Sequence, residues 1–184
     1  MLVRGKLRNE KCEHGQVNIG QVVFNRNNKC YNNSNCFEKE DKMNVIQLAQ
    51  MLEFPQHGDD RGHLVIVEGL KDIPFDIKRI FYIYGSDKDV VRGQHANRKS
   101  EFVLINVSGT SKVKVKDGKG NEAVFSLNRP HTGIYLPKMV WKDMYEFSED
   151  SVLLVFSNEH YDSSEYIRNY DDFVKEIEKT ETVG

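Results

Sequence analysis

The chain has 184 residues, a formal net charge of -2 and interspersed basic and acidic side chains, so it suits one domain with a real core. The same charge pattern excludes the broad cationic face that nucleic-acid backbones favour. The longest apolar runs, such as SVLLVF at 151–156, fall well short of the ~20 residues that span a bilayer, so no membrane segment is expected.

The opening MLVRGKLRNEKCEHGQ has no apolar stretch and no small-residue cleavage site, and a cytoplasmic location is the default expectation. Residues 1–42 are rich in Asn, Lys and Gly, as in NRNNKCYNNSNC, and keep no sustained apolar period, although VNIGQVVF suits a short strand. They read as a mobile N-terminal extension, and Met43 opens MNVIQLAQMLEF as the start of a domain covering 43–184. The same feature reads as an upstream extension of the reading frame, which the intact mass of the native protein tests. Cys12, Cys30 and Cys36 all fall in this stretch; an odd count without paired spacing argues against a disulfide framework or a zinc site.

From Met43 onward, β-branched and aromatic segments alternate with turn residues: GHLVIVEGL, IKRIFYIYG, EFVLINVSG, SKVKVKDG, EAVFSL, TGIYLP, MYEFS and VLLVFSN. Short strands at such regular spacing predict an all-β sandwich or barrel. In SKVKVKDGKGNEAVF, Val113 and Val115 alternate with lysines before a DGKGN turn, which predicts a hairpin with one solvated face. The chain closes on Tyr166, Ile167, Tyr170, Phe173, Val174 and Ile177 at helical spacing, with Ser163 or Ser164 as N-cap, so a C-terminal helix should pack on the sheet.

The chemistry concentrates in VRGQHANRKSEF, residues 91–102. On a strand, His95 and Asn97 face one side and Ala96 the other. A metal-binding barrel usually offers two histidines two apart, a carboxylate and a later histidine. Here His95 and Glu101 are joined only by Asn97 and by Lys142 in VWKDMYEF, and an ammonium repels a cation, so no metal and no cofactor is expected. A lone strand histidine is more often an ordinary hydrogen-bonded side chain than a catalyst, but its neighbours favour a role. Arg92, Arg98 and Lys99 suit an anionic ligand such as a diphosphate, with Arg79 a further candidate. Tyr82 and Tyr84 share a face and suit either a sugar pocket or plain core packing. Trp141 and Met144 are candidate walls of the same cavity, though a lone Trp is usually core. His131 adjoins a Pro turn and reads as a loop residue; Asp59, Arg61 and Gly62 read as a turn.

Together, IPFDIKRIFYIYG, RGQHANRKSEFVLINVSG and LPKMVWKDMYEFSEDSVLLVFSNEHYDSSEYIRNYDDF resemble the dTDP-sugar 3,4-ketoisomerases, the WxcM-like FdtA and QdtA group of the cupin superfamily. The resemblance covers residues 44–177 in consistent order. It implies a jelly-roll homodimer that acts without a metal on dTDP-4-keto-6-deoxyglucose, moving the carbonyl from C4 to C3 for bacterial surface glycans. Abstraction of the acidic C3 proton, an enediol, and reprotonation at C4 would achieve this. The family motif is Arg-Gly-x-His-Ala-His, whose second histidine is Asn97 here, and a later family histidine is Lys142.

Three readings remain open at this stage. In a ketoisomerase, His95 alone ferries the proton while Tyr82 or Tyr84 holds the oxygens. In a nucleotide-sugar epimerase, Lys142 is the second acid or base if burial lowers its pKa. In a binding module, the pocket survives without the reaction. In each, Arg79, Tyr84, Arg92, Asn97, Arg98, Lys99 and Trp141 are the expected contacts to a dTDP-linked sugar.

Overall fold

The β-rich segments pair into two five-stranded antiparallel sheets in the computed structural model, which describes residues 49–182. The expected extension over 1–42, its boundary at Met43, the VNIGQVVF strand and the three cysteines lie outside the described residues. In chain order the strands are β1 (Gln50–Glu53), β2 (Gln56–Asp59), β3 (Gly62–Val65), β4 (Arg79–Tyr84), β5 (Arg92–Asn97) and β6 (Phe102–Ser108). They continue with β7 (Ser111–Lys116), β8 (Glu122–Leu127), β9 (Thr132–Leu136), β10 (Trp141–Tyr145), β11 (Val152–Ser157) and β12 (Tyr166–Ile167), and end in helix α1 (Tyr170–Thr182). One sheet runs β1-β9-β6-β11-β4 and the other β12-β5-β10-β7-β8, while β2 and β3 form a hairpin of their own. This is the expected all-β sandwich architecture with one C-terminal helix.

Alternation decides what each sheet buries. On β7, Val113 and Val115 are fully buried while the intervening lysines stay half-exposed, and the strand pairs with β8 as the hairpin pattern predicts. The two valines meet Leu104, Ile134, Leu136, Leu153 and Val155 of the facing sheet, so the main core fills the space between the sheets. A second cluster, with Phe54, Phe75, Val103, Ile105 and Phe156, covers the outer face of the first sheet. A third, with Ala96, Trp141, Ile167 and Phe173, lies on the outer face of the second sheet against α1.

Two boundaries differ from the sequence expectation. The strand expected at MYEFS starts earlier, at Trp141, and ends at Tyr145 because Glu146 takes a positive φ of 51°. The helix expected from Ser163 begins only at Tyr170. Asp162 instead caps a 3-10 turn over Ser163–Glu165, its Oδ1 accepting from Ser164 N at 2.8 Å. Tyr166 and Ile167 then pair with Asn97 and Ala96 as β12, and Asn169 caps α1 by accepting from Asp172 N at 3.1 Å. The edge of β5 offers Tyr166 and Ile167 sheet partners, which outweighs their helical spacing. Tyr170, Phe173, Val174 and Ile177 do pack on the sheet as expected.

Asp59 and Arg61 form the turn of the β2–β3 hairpin, Arg61 N donating to Asp59 Oδ1 at 2.9 Å. His131 lies in the β8–β9 turn and its carbonyl accepts from Phe54 N.

Candidate active site

The two sheets part at one end around a cavity of about 180 Å³. Phe81 and Ile83 of β4, Phe102 and Leu104 of β6 and Val155 of β11 form its apolar wall. Opposite them stand Arg92, Gly93 and His95 of β5 with Lys142 and Met144 of β10, and Tyr166 of β12 completes the lining.

A bulge in β5 aims the histidine. Lys142 pairs with His95 but the next residue, Asp143, pairs with Gly93, so Gln94 is the extra residue. Gly93 and Gln94 both take positive φ, 86° and 53°. Only glycine fits the first position, since a Cβ there would lie 2.6 Å from the Lys142 carbonyl oxygen. The same turn brings His95 Nδ1 to 2.8 Å from the Gly93 carbonyl oxygen. A carbonyl only accepts, so Nδ1 carries the proton and Nε2 keeps a free lone pair. Burial and the neighbouring Lys142 lower the His95 pKa to about 4, which leaves the imidazole neutral at physiological pH. The ring lies 4.8 Å from that of Tyr166.

Lys142 is 5% exposed, and its amine stands 4.7 Å from the centroid of the Phe102 ring. Its Nζ donates to Asn97 Oδ1 at 2.5 Å. Burial lowers its pKa to about 7, with Glu165 opposing the shift and Arg79 adding to it. The cavity therefore holds a neutral imidazole and an amine poised between its two charge states. Such a pair can take a proton from carbon and give one to oxygen.

Arg92 joins His95 and Lys142 in the lining, its Nε donating to Ser86 Oγ at 2.6 Å. Arg79 stands beside the wall with its guanidinium over Phe81 at 5.3 Å and Tyr161 at 5.7 Å. Its buried Nε has no hydrogen-bond partner among the described residues.

The other candidates are placed elsewhere. Tyr82 and Tyr84 do share a face, but it is the outer one: β4 turns Phe81 and Ile83 to the cavity and leaves the tyrosines 62% and 68% exposed. Trp141 faces away from its neighbour Lys142 and packs under α1, 5.1 Å from Tyr170. Arg98 is bound to Glu176 of α1 and donates to Ser164 O at 2.9 Å, in a surface groove apart from His95. Lys99 is exposed, and its backbone N–H donates to Glu165 Oε2 at 3.2 Å. Asn97 is buried and spends its amide on Lys142 and Glu165. Glu101, weighed as a metal ligand, bonds Tyr135 on the far side of its sheet.

Glu165 and Tyr166 escaped the sequence reading because they sit in what looks like the first turn of a helix. A signal was present: Asp162 followed by Ser164 is a local cap that permits a short turn and a fresh strand.

A family model described as FdtA, WxcM-like, C-terminal, matches residues 47–178. The chain belongs to the WxcM-like FdtA family. Among curated members it is 39% identical over 130 residues to the TDP-4-oxo-6-deoxy-alpha-D-glucose-3,4-oxoisomerase of Aneurinibacillus thermoaerophilus, covering 71% of this chain and 93% of that one. A crystal structure of a histidine-to-asparagine variant of the 3,4-ketoisomerase QdtA from Thermoanaerobacterium thermosaccharolyticum, in complex with TDP-4-keto-6-deoxyglucose, is similar at 42% identity. Its TM-score is 0.69, over 71% of this chain and 94% of that one. WlaRA of Campylobacter jejuni, a TDP-fucose-3,4-ketoisomerase, matches at 41% identity and TM-score 0.65, over 69% and 93% of the two chains. The family match spans every residue that lines the cavity, Lys142 included.

Proposed function

We propose that this protein is a 3,4-ketoisomerase of a dTDP-linked 4-keto-6-deoxysugar, of the dTDP-4-keto-6-deoxyglucose type, and that it works without a metal. The observation that carries the reading is the juxtaposition of neutral His95, with Nε2 free, and the buried amine of Lys142 on one wall of one cavity. His95 Nε2 removes the proton from C3 while Lys142 gives a proton to the C4 oxygen, which leaves an enediol. Lys142 then takes the proton of the C3 oxygen as His95 returns its own to C4, and both side chains end as they began. One histidine serves both carbons when the two protons lie on the same face of the sugar. The amine takes over the oxygen-binding role expected of Tyr82 or Tyr84, and the ring of Tyr166 lies 4.8 Å from that of His95.

Arg92 at the cavity is the diphosphate ligand in this reading, and Arg79, stacked on Phe81 of the cavity wall, is a second candidate. A positive amine at the place of a jelly-roll metal ligand favours acid–base chemistry over a cation. Ile80, Tyr82 and Tyr84 form an exposed apolar row on the edge strand β4, which supports a homodimer with a second copy covering it. No described helix is long and apolar enough to cross a membrane. The reading places the enzyme in the cytoplasm, on the route to surface polysaccharide sugars. Incubation with dTDP-4-keto-6-deoxyglucose and carbon NMR of the product tests it: a carbonyl at C3 is the expected result, and unchanged substrate overturns it.

A further inference from the structure

Glu165 is a carboxylate in the protein interior, 3% exposed, that the proposed proton transfers never touch. Four donors surround it: Lys99 N at 3.2 Å, Ser100 N at 2.9 Å, Ser100 Oγ, and Asn97 Nδ2 at 3.1 Å. An ionised carboxylate only accepts, so it compels Asn97 to present its NH₂ to Glu165 and its oxygen to Lys142. That oxygen takes one N–H of Lys142 at 2.5 Å and leaves the remaining valences of the amine toward the cavity. The chain Glu165–Asn97–Lys142 is shielded from solvent along its length.

We propose that Glu165 is a positioning residue of this site, which acts through the Asn97 amide to fix the amine of Lys142 in place and hold its positive charge. Asn97 is then a relay and makes no contact with the sugar. The inference rests on the reading of Lys142 as the group that protonates the sugar oxygen. It also gives a physical reason for an asparagine at this place, since an amide transmits the orientation of a carboxylate to an amine.

Lys142 is faced by His95 and Arg92 from β5, by Arg79 from β4, by Tyr166 of β12, by the apolar ring of Phe102 from β6, and by Glu165 from the 3-10 turn. Among these groups Glu165 is the carboxylate, and it counters both burial and the Arg79 charge. Removing its charge therefore favours the neutral amine; moving a carboxylate closer favours the ammonium.

The test uses the full chain and two substitutions of opposite sign, Glu165→Gln and Asn97→Asp. Two quantities are read: the alkaline midpoint of kcat/KM with dTDP-4-keto-6-deoxyglucose, and the titration of Lys142 by carbon NMR of lysine-labelled protein, with Lys142→Met for assignment. E165Q is expected to lower both midpoints by about one pH unit and N97D to raise both by a similar amount. TDP affinity should stay within about twofold, as a general loss of structure would not allow. Unmoved midpoints in the folded variants overturn the proposal. Should E165Q fail to fold, N97D decides alone, and an unchanged or lowered midpoint overturns it. A shifted Lys142 titration without any turnover upholds the positioning role and defeats the ketoisomerase reading; turnover with unshifted midpoints does the reverse.

Discussion

Lys142 of β10 and His95 of β5 are direct cross-strand partners, with both side chains turned into the cavity between the sheets. Two cationic-type groups so close cannot both hold a proton cheaply, and burial weakens the charged form of each. The pair is thereby sorted into a base and an acid, with His95 shifted to about 4 and Lys142 to about 7.

This sorting fixes the pH profile. The value of kcat/KM is expected to rise as His95 loses its proton near pH 4 and to fall as Lys142 loses its own near pH 7. A profile of initial rates across this range checks it. A rate that climbs through pH 7 would instead make Lys142 the base.

Replacing His95 with Ala removes the only group assigned to the carbon-bound proton. Turnover should drop by about 10²- to 10⁴-fold with TDP affinity retained. Steady-state kinetics alongside calorimetric titration with TDP separates the two effects.

The buried amine also makes stability depend on pH. Its pKa is about 7 in the folded chain against an ordinary 10.5, so the unfolded chain binds more protons between these values. Stability from this group therefore rises with pH across that window and is lowest below pH 7. Thermal melts of the wild type should show the rise, and Lys142→Met should lack it.

Gly93→Ala tests the bulge. The new Cβ would approach the Lys142 carbonyl to 2.6 Å at a φ of +86°, so β5 must shift from β10. A loss of about 1–3 kcal/mol is expected from the strained backbone. Turnover should fall with it, because the Gly93 carbonyl holds the His95 ring. Denaturant melts and kinetics on the one variant check both parts.

Much of this was legible in the sequence, and the failures have physical causes. Period-two alternation on β7 and the parity of His95, Ala96 and Asn97 placed those side chains correctly, since a strand leaves no other choice. Parity also showed that Tyr82 and Tyr84 share a face, but not which face meets the core. Phe81 and Ile83 are as apolar as the tyrosines, and the pairing of β4 with β11 decides between them. Arg98 reads as a phosphate ligand until α1 brings Glu176 to it, a contact between positions far apart in the chain. Trp141 and Lys142 are adjacent residues on opposite faces, so only one could line the cavity.

The homodimer that the resemblance implies gains a candidate face from the same correction. With Tyr82 and Tyr84 on the open face of β4, a double Tyr82→Ser, Tyr84→Ser variant should sediment as a monomer where the wild type sediments as a dimer. A monomeric wild type would refute the assignment of that face.

Proton NMR of the protein with dTDP-4-keto-6-deoxyglucose in deuterium oxide, run beside His95→Ala, tests isomerisation by His95 most directly. Exchange at C3 together with a 3-keto product is expected in the wild type, and neither in the variant, which still binds TDP. Exchange that proceeds equally well without His95, or a wild type that binds the nucleotide and leaves C3 and C4 untouched, would contradict it.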